Sequence, residues 1–412
     1  MTKKDVLELK KRLKKNDCSI TKLCGCYVNG EKEILLHLNE TFLNLEDEEF
    51  YKYLEIAKKT LSGTLGNQLL ELPFPRKEEE AGGKQQFLMG LKETGLKNEE
   101  LLQTFYQLVI DNYDYSGNYL ILIFHDAYDV MRRTSDNSKL DESEEVYDYL
   151  LCAICPVTLT KPGLGYLETE HRIGTINRDW VVNAPDTGFV FPAFSDRSSD
   201  IHSVLYYTKQ PQEPHREIME LVLGCVAKQT GVEQKTLFQE IVHKIIGDEE
   251  KGETAFMEIQ DTLSLMVEES ELLEDGQDPE PLLLTDTSIK EVLTSSGLPD
   301  EVVEQIEVSC AENFTNTPVA KHLLDNKVLA TSAIKRTERA LAEQVFQLQE
   351  QLGQVAATKE MDGEFDVVVK VKPEKAEQIT SQIIDGKRCI VIPVDNEEQV
   401  GVNHGNGVES FN

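Results

Sequence analysis

Two apolar runs flank Asn29-Gly30 in "CYVNGEKEILLHL" (26–38), the pattern of two strands joined by a tight turn. The acidic first turn "EDEEF" then opens a helix that the spacing carries to about residue 60. "TLSGTLGNQLLELPFP" places Gly63 and Gly66 in a turn before a short strand, "QLLEL". After the solvated connection "RKEEEAGG", the segments "KQQFLMGLKE" and "NEELLQTFYQLVIDNY" have helical periodicity, the second starting on a capping Asn98.

From 118 to 208 the period shortens to that of strands: "NYLILIF", "VYDYLLCAICPVTLT", "WVVNAP", "GFVFPAF" and "SVLYYT". The polar stretch 134–145 reads as a loop. Beyond residue 213, "REIMELVLGCVAKQ", "QKTLFQEIVHKII" and "AFMEIQDTLSLMVEESELLE" return to helical spacing. "EDGQDPEP" is a linker, followed by "TSIKEVLTSSGLP" and "DEVVEQIEVSC" as short helices. Leu341, Val345, Leu348 and Leu352 are spaced 4-3-4, about two heptads, which predicts a packed helix rather than a coiled coil. In the tail, "EFDVVVKVKP" alternates like a strand, "IIDGKRCIVIPV" holds an Asp-Gly turn between apolar runs, and "NHGNGVESFN" reads as loose.

The pattern predicts an α+β fold: a mixed or antiparallel sheet core with flanking helices, a helical middle region and a small β-containing C-terminal unit. Its boundaries fall at 1–210 for the core domain, 211–273 for a helical region and 274–286 for an acidic linker. A second helical region spans 287–360, a small α/β unit 361–400 and a tail 401–412.

Charge changes the picture of partners. The 412 residues carry 74 acidic against 42 basic side chains, a formal net charge of -32. Such a surface repels nucleic acid and anionic lipid over most of its area, and solubility explains it more simply than mimicry of a nucleic acid. The N-terminal stretch is the exception, with Lys3, Lys4, Lys10, Lys11, Arg12, Lys14 and Lys15 against Asp5 and Glu8. Val6, Leu9 and Leu13 give it one apolar side, so it predicts an amphipathic basic helix. That helix could dock on an acidic protein partner, on RNA, or on the protein's own acidic body; the last needs no partner.

Residues 1–17 lack the apolar region of an export signal, and no run approaches the roughly 18 apolar residues of a membrane span. A soluble cytoplasmic protein without a membrane partner is expected. Eight cysteines scattered over a long chain favour reduced thiols over a disulfide framework.

Two segments could carry chemistry. "FHDAYDV" (124–130) places His125, Asp126 and Asp129 at the apparent end of a strand, and "FSDRSSDIH" (194–202) offers Asp196, Arg197, Asp200 and His202. If the segments met, Asp126, Asp129, Asp196 and Asp200 could hold a divalent metal for a hydrolase, with the histidines beside it. The plainer reading has Asp126 and Asp129 capping a turn and Asp196 paired with Arg197. Cys152 and Cys155 form a C-x-x-C, and Cys24 with Cys26 a second possible pair. Residues three apart on a strand point to opposite faces, so core thiols are expected rather than a zinc or redox site. "LSGTLGN" lacks the Gly-Lys-Ser/Thr ending of a phosphate loop, and no motif names a cofactor.

"DWVVNAPDTGFVFPAFSDR" holds the only tryptophan, Trp180, with Phe189, Phe191 and Phe194. Strand alternation assigns Phe189 and Phe191 to the core, and Pro192 implies an edge strand or a bulge, where another chain can add. Trp180 and Phe194, with Lys10, Lys11 and Arg12, are the partner-binding candidates.

Taken together, "TLSGTLG", "GNYLILIFHDAYDV", "LCAICPVTLTKPGLGY", "DWVVNAPDTGFVFPAFSDRSSDIHSVLYYT" and "IIDGKRCIVIPV" resemble a family found mainly in clostridia-like Gram-positive bacteria and described only as a domain of unknown function. The resemblance implies a cytoplasmic bacterial protein and no particular activity, cofactor or catalytic residue. A non-enzymatic binding or regulatory protein is the leading expectation, with the metal-dependent hydrolase as its alternative.

Overall fold

Apolar residues in unbroken runs must be covered on every side, and the centre of the fold meets that demand. The computed structural model describes residues 1–133, 139–176, 178–273, 281–359, 378–394, 400–404 and 407–411. Helix α1 (Lys3–Arg12) precedes strands β1 (Ile20–Val28) and β2 (Ile34–Thr41), then α2 (Asp47–Thr60). Strand β3 (Leu69–Pro73), the single turn α3 (Arg76–Glu79), α4 (Lys84–Glu93) and α5 (Glu99–Asn112) follow. Asn98 caps α5 by accepting from the amides of Glu100 and Leu101.

The strand-rich part holds β4 (Asn118–Arg133), β5 (Lys139–Leu159), β6 (Gly163–Leu167), β7 (Arg172–Ile176), β8 (Trp180–Val182), β9 (Thr187–Phe191), β10 (Ala193–Ser195), β11 (Ser198–Asp200) and β12 (Ser203–Thr208). The main sheet runs β2-β1-β4-β5-β9-β12-β3, with β8 also paired to β5, and its pairs are antiparallel. Along β4 and β5 successive residues alternate between two cores. Ile121, Ile123, Cys152 and Ile154 face α4 and α5, whereas Leu122, Phe124, Leu151 and Ala153 face α1 and α2. A sheet covered on both faces explains why its central strands read as near-continuous apolar runs.

After a π-helical turn at Ile218–Val222, α6 (Gly231–Ile246), α7 (Glu249–Leu273), α8 (Asp286–Ser295), α9 (Asp300–Asn313) and α10 (Ala320–Leu323) share a third core around Phe238, Phe256, Leu293 and Ile306. Helix α11 (Asn326–Lys359) is followed by β13 (Thr380–Ile384), β14 (Lys387–Val391), β15 (Val400–His404) and β16 (Gly407–Phe411). The chain divides into two compact units, Met1–Lys335 and Arg336–Asn412. In the second, Asp385 and Gly386 both take positive φ, 52 and 79°, as the tight turn of the β13–β14 hairpin requires.

The α+β class, the Asp-Gly hairpin and the β1–β2 hairpin stand as the sequence predicts, but β1 and β2 are joined through the longer connection 29–33, where Lys32 rather than Gly30 takes positive φ. Several expectations do not. Residues 139–145 belong to β5 rather than a loop, because the β4–β5 ladder continues to Arg133 and Lys139. The helix expected across "REIMELVLGCVAKQ" stops at the π-turn, where Gly224 takes a φ of 73°. Pro192 marks no edge: β9 is paired on both sides, and the proline lies just past its last residue. The tail expected to be loose contains β15 and β16. "EDGQDPEP", apart from its last residue, and the alternating "EFDVVVKVKP" lie outside the described residues. Among the described residues no helix is long and apolar enough to cross a membrane.

Candidate functional site

"FHDAYDV" lies inside β4, not at its end, so Asp126 and Asp129 cap no turn. The pleat sends adjacent side chains to opposite faces. Asp126, only 1% exposed, faces the α1/α2 side, where Tyr149 of β5 donates its phenol to Asp126 Oδ2 at 2.6 Å. Asp126 Oδ1 has no hydrogen-bond donor. The carboxylate and burial together push the Tyr149 pKa well above that of an ordinary phenol, burial being the larger cause. His125 faces the α4/α5 side. Its Nε2 is 2.8 Å from Asp148 Oδ1, close in distance but without the direction of a good hydrogen bond, and Nδ1 is 2.9 Å from Thr21 Oγ1. Lys92 approaches the same Asp148 at 3.6 Å. Burial raises the Asp148 pKa, but His125 and Lys92 outweigh it and leave it lowered.

The second segment does not complete a metal centre with the first. Asp129 and Asp196 are exposed. Asp200 Oδ1 accepts from the His202 amide, and the His202 ring pairs with Glu79 of α3 at 2.8 Å. Asp196 and Arg197 both adopt positive φ in the β10–β11 turn, and they form no ion pair with each other; Arg197 reaches Glu8 of α1 at 3.2 Å instead. Among the described residues no group of three or more His, Cys, Asp or Glu side chains is arranged to hold a metal ion. Cys152 and Cys155 fall in opposite cores, as strand geometry demands. Burial raises their thiol pKa values, that of Cys155 to about 12, and all eight cysteines are unpaired.

Helix α1 docks on the chain's own body. Val6 and Leu9 enter the core with Leu13, Lys10 donates to Ser62 and Lys15 pairs with Asp47 at 2.6 Å. The Arg12 guanidinium sits 3.8 Å from the centre of the Tyr128 ring. A cleft of about 560 Å³ opens beside the helix, lined by Lys4, Lys11, Arg12, Tyr128, Asp129 and Arg197.

A cluster without a signature in the sequence lies in the same unit. His215 Nε2 is 2.9 Å from Asp186 Oδ2, and its Nδ1 is 2.8 Å from Glu217 Oε1. Tyr113 donates to the same Asp186 oxygen at 3.1 Å. Burial lowers the His215 pKa, yet hydrogen bonds and charge from the two carboxylates outweigh it and raise the value to about 9. Hydrogen bonding to His215 is the largest cause holding Asp186 below the ordinary carboxylate range; Glu217 is lowered too, against its own burial. At neutral pH the imidazolium donates from both nitrogens and keeps no lone pair to accept a proton. With a carboxylate at each ring nitrogen, the cluster forms an ion-pair lock. It holds His215, at a φ of 56°, immediately before the π-turn. No spacing signal could reveal it, because Asp186 and His215 lie 29 residues apart.

Outside the main sheet, β6 and β7 form a two-stranded ribbon. Its base is closed by Thr160 and Asp179, whose backbones and the Thr160 hydroxyl exchange hydrogen bonds at 2.9 Å. Tyr166 pairs with Ile173 and Leu164 with Thr175, so the side chains of these pairs share one face. Leu164 is 73% exposed, and Tyr166, Ile173, Ile176, Val181 and Val182 are exposed as well. Trp180 of β8 is 57% exposed, whereas Phe194, the other aromatic candidate, is fully buried against Tyr147.

The architecture defines an α+β protein built on an antiparallel sheet covered on both faces. The chain belongs to the DUF4317 family, a domain of unknown function, whose family model matches residues 1–405. Comparison with curated proteins gives no match.

Proposed function

We propose that this is an intracellular binding or regulatory protein whose partner is another protein, docked on the ribbon β6–β7 and the adjoining β8. The observation that carries the reading is the concentration of exposed apolar side chains between Leu164 and Val182, with Leu164, Tyr166 and Ile173 on one face of the ribbon. Single exposed apolar residues are ordinary; a contiguous set marks an interaction surface. Trp180 and Tyr166 are of the residue types that dominate binding energy at protein interfaces. The eight unpaired thiols support the intracellular placement.

The test is purification of the tagged chain from its host at moderate salt, with protein, RNA and metal quantified, beside a Leu164→Asp/Trp180→Asp variant. The expected result is a stoichiometric protein that the variant loses, with binding reconstituted from the two purified components. A partner retained by the variant, an RNA bound through Lys3, Lys4 and Lys11 alone, or a partner-free protein carrying stoichiometric metal would each overturn the reading.

A further inference from the structure

We infer that α11 pairs with a second copy of this chain, making the protein a homodimer through the face of the helix that holds Leu341, Val345 and Leu348. The observations come from the second compact unit and do not depend on the β6–β8 surface. Helix α11 has 34 residues and so runs for about 50 Å. Leu341, Val345 and Leu348 repeat at 4-3 spacing, and the sequence continues it through Leu352 and Val355. Glu338 interrupts the register on the N-terminal side. The expectation that this helix is packed is not met: Leu341, Val345, Leu348 and the adjacent Phe346, 66% exposed, all face solvent. Among residues 336–349 and 378–394 no side chain is buried, so the described part of this unit has no core of its own. An isolated helix or hairpin gains too little from its own contacts to be stable in water.

Charge identifies the occupant. With a net charge of -32, two copies of this chain repel over most of their surfaces. The residues flanking the seam are Ala342, Gln344, Gln349 and Gln351, none of them charged. These are the positions at which like charges would face each other across a pair of helices. From Leu341 to Val355 the only charged residues are Glu343 and Glu350, and in the 4-3 repeat both fall on the side of the helix away from the apolar positions. The apolar positions and their flanks are thus uncharged within a strongly acidic chain, so an identical chain meets no like charge across the seam. An acidic or basic partner would gain nothing from such flanks.

The experiment is the mass of the full chain in solution at micromolar concentration, by light scattering or sedimentation. The expected value is twice 46.6 kDa, falling to 46.6 kDa in Leu341→Asp/Leu348→Asp. Glu343→Ala, on the far side of the helix, leaves the dimer intact, and so does Trp180→Asp, which separates this inference from the proposed function. The variants alter solvent-exposed positions, and an unchanged thermal transition of the first unit confirms that they fold. A single-copy native chain overturns the inference. So does a dimer that survives the double substitution.

Discussion

Tyr149 and Asp126 share a buried hydrogen bond of 2.6 Å between the two central strands, and the second oxygen of that carboxylate has no donor. Among the described residues the phenol is thus the only side chain hydrogen-bonded to this buried acid. Removing it leaves the acid without any such partner, which costs more than the bond itself contributes. Tyr149→Phe is expected to lower unfolding free energy by about 2–4 kcal/mol. In Asp126→Asn/Tyr149→Phe the two losses are expected to be non-additive, because the residues touch. Urea denaturation of the single and double variants checks both; additive losses would show that the contact is not made.

The His215 lock predicts a pH dependence of stability. Its folded pKa, about 9, lies above the ordinary 6.5. Its contribution is therefore complete below about pH 6.5 and lost as pH rises through about 9, a change of roughly 3 kcal/mol. Asp186 and Glu217 are lowered from 3.8 and 4.5, so their share is present above those values and lost on acidification. Unfolding free energy measured across the alkaline range should fall in the native chain and stay flatter in His215→Gln. Parallel profiles would show that the imidazolium does not stabilise the fold.

Trp180 and Phe194 sit 14 positions apart in one aromatic segment and predict opposite outcomes. Phe194→Ala opens a cavity in the core and should cost about 3–5 kcal/mol. Trp180→Ala removes an exposed ring and should stay within about 0.5 kcal/mol. Thermal melting separates the two, and a large loss for Trp180→Ala would place that ring in the core instead of on a binding face.

Gly188 in β9 leaves no room for a methyl group: a Cβ there would lie 2.3 Å from the Cys152 carbonyl oxygen. Since that neighbour is backbone of a central strand, Gly188→Ala should destabilise by about 1–3 kcal/mol. Gly163→Ala meets nothing within 4 Å and serves as the control. Equal melting temperatures for the two variants would disprove the close approach.

Local signals carried much of the fold. Asn98, Asp385-Gly386 and the apolar runs of β4 and β5 each specify their own conformation within a few residues, so a cap, a hairpin and the central strands were legible. What depended on contact between distant segments was not. The alternation that separates Cys152 from Cys155 also separates Asp126 from Asp129, but the latter pair was read as lying beyond the strand end because "HDAYD" is polar. The strand continues because its partner, from Lys139 onward, continues beside it. His202 meets Glu79 and Arg197 meets Glu8 across 123 and 189 residues, distances at which sequence carries no pairing information. The basic side of α1 was legible; that Tyr128, Ser62 and Asp47 receive Arg12, Lys10 and Lys15 was not.

The position of β3 has a consequence for synthesis of the chain. Among the described strands this edge strand pairs with β12, whose first residue, Ser203, follows Pro73 by about 130 positions, or on the order of ten seconds at usual rates of translation. Until then Leu70 and Leu72 have no strand beside them and no completed layer to cover them. Pairings of such long range form slowly, while the β4–β5 hairpin can close early through neighbouring residues. The nascent chain therefore carries an unpaired apolar edge through most of the translation of its sheet, a demand on holding chaperones that the finished molecule no longer shows.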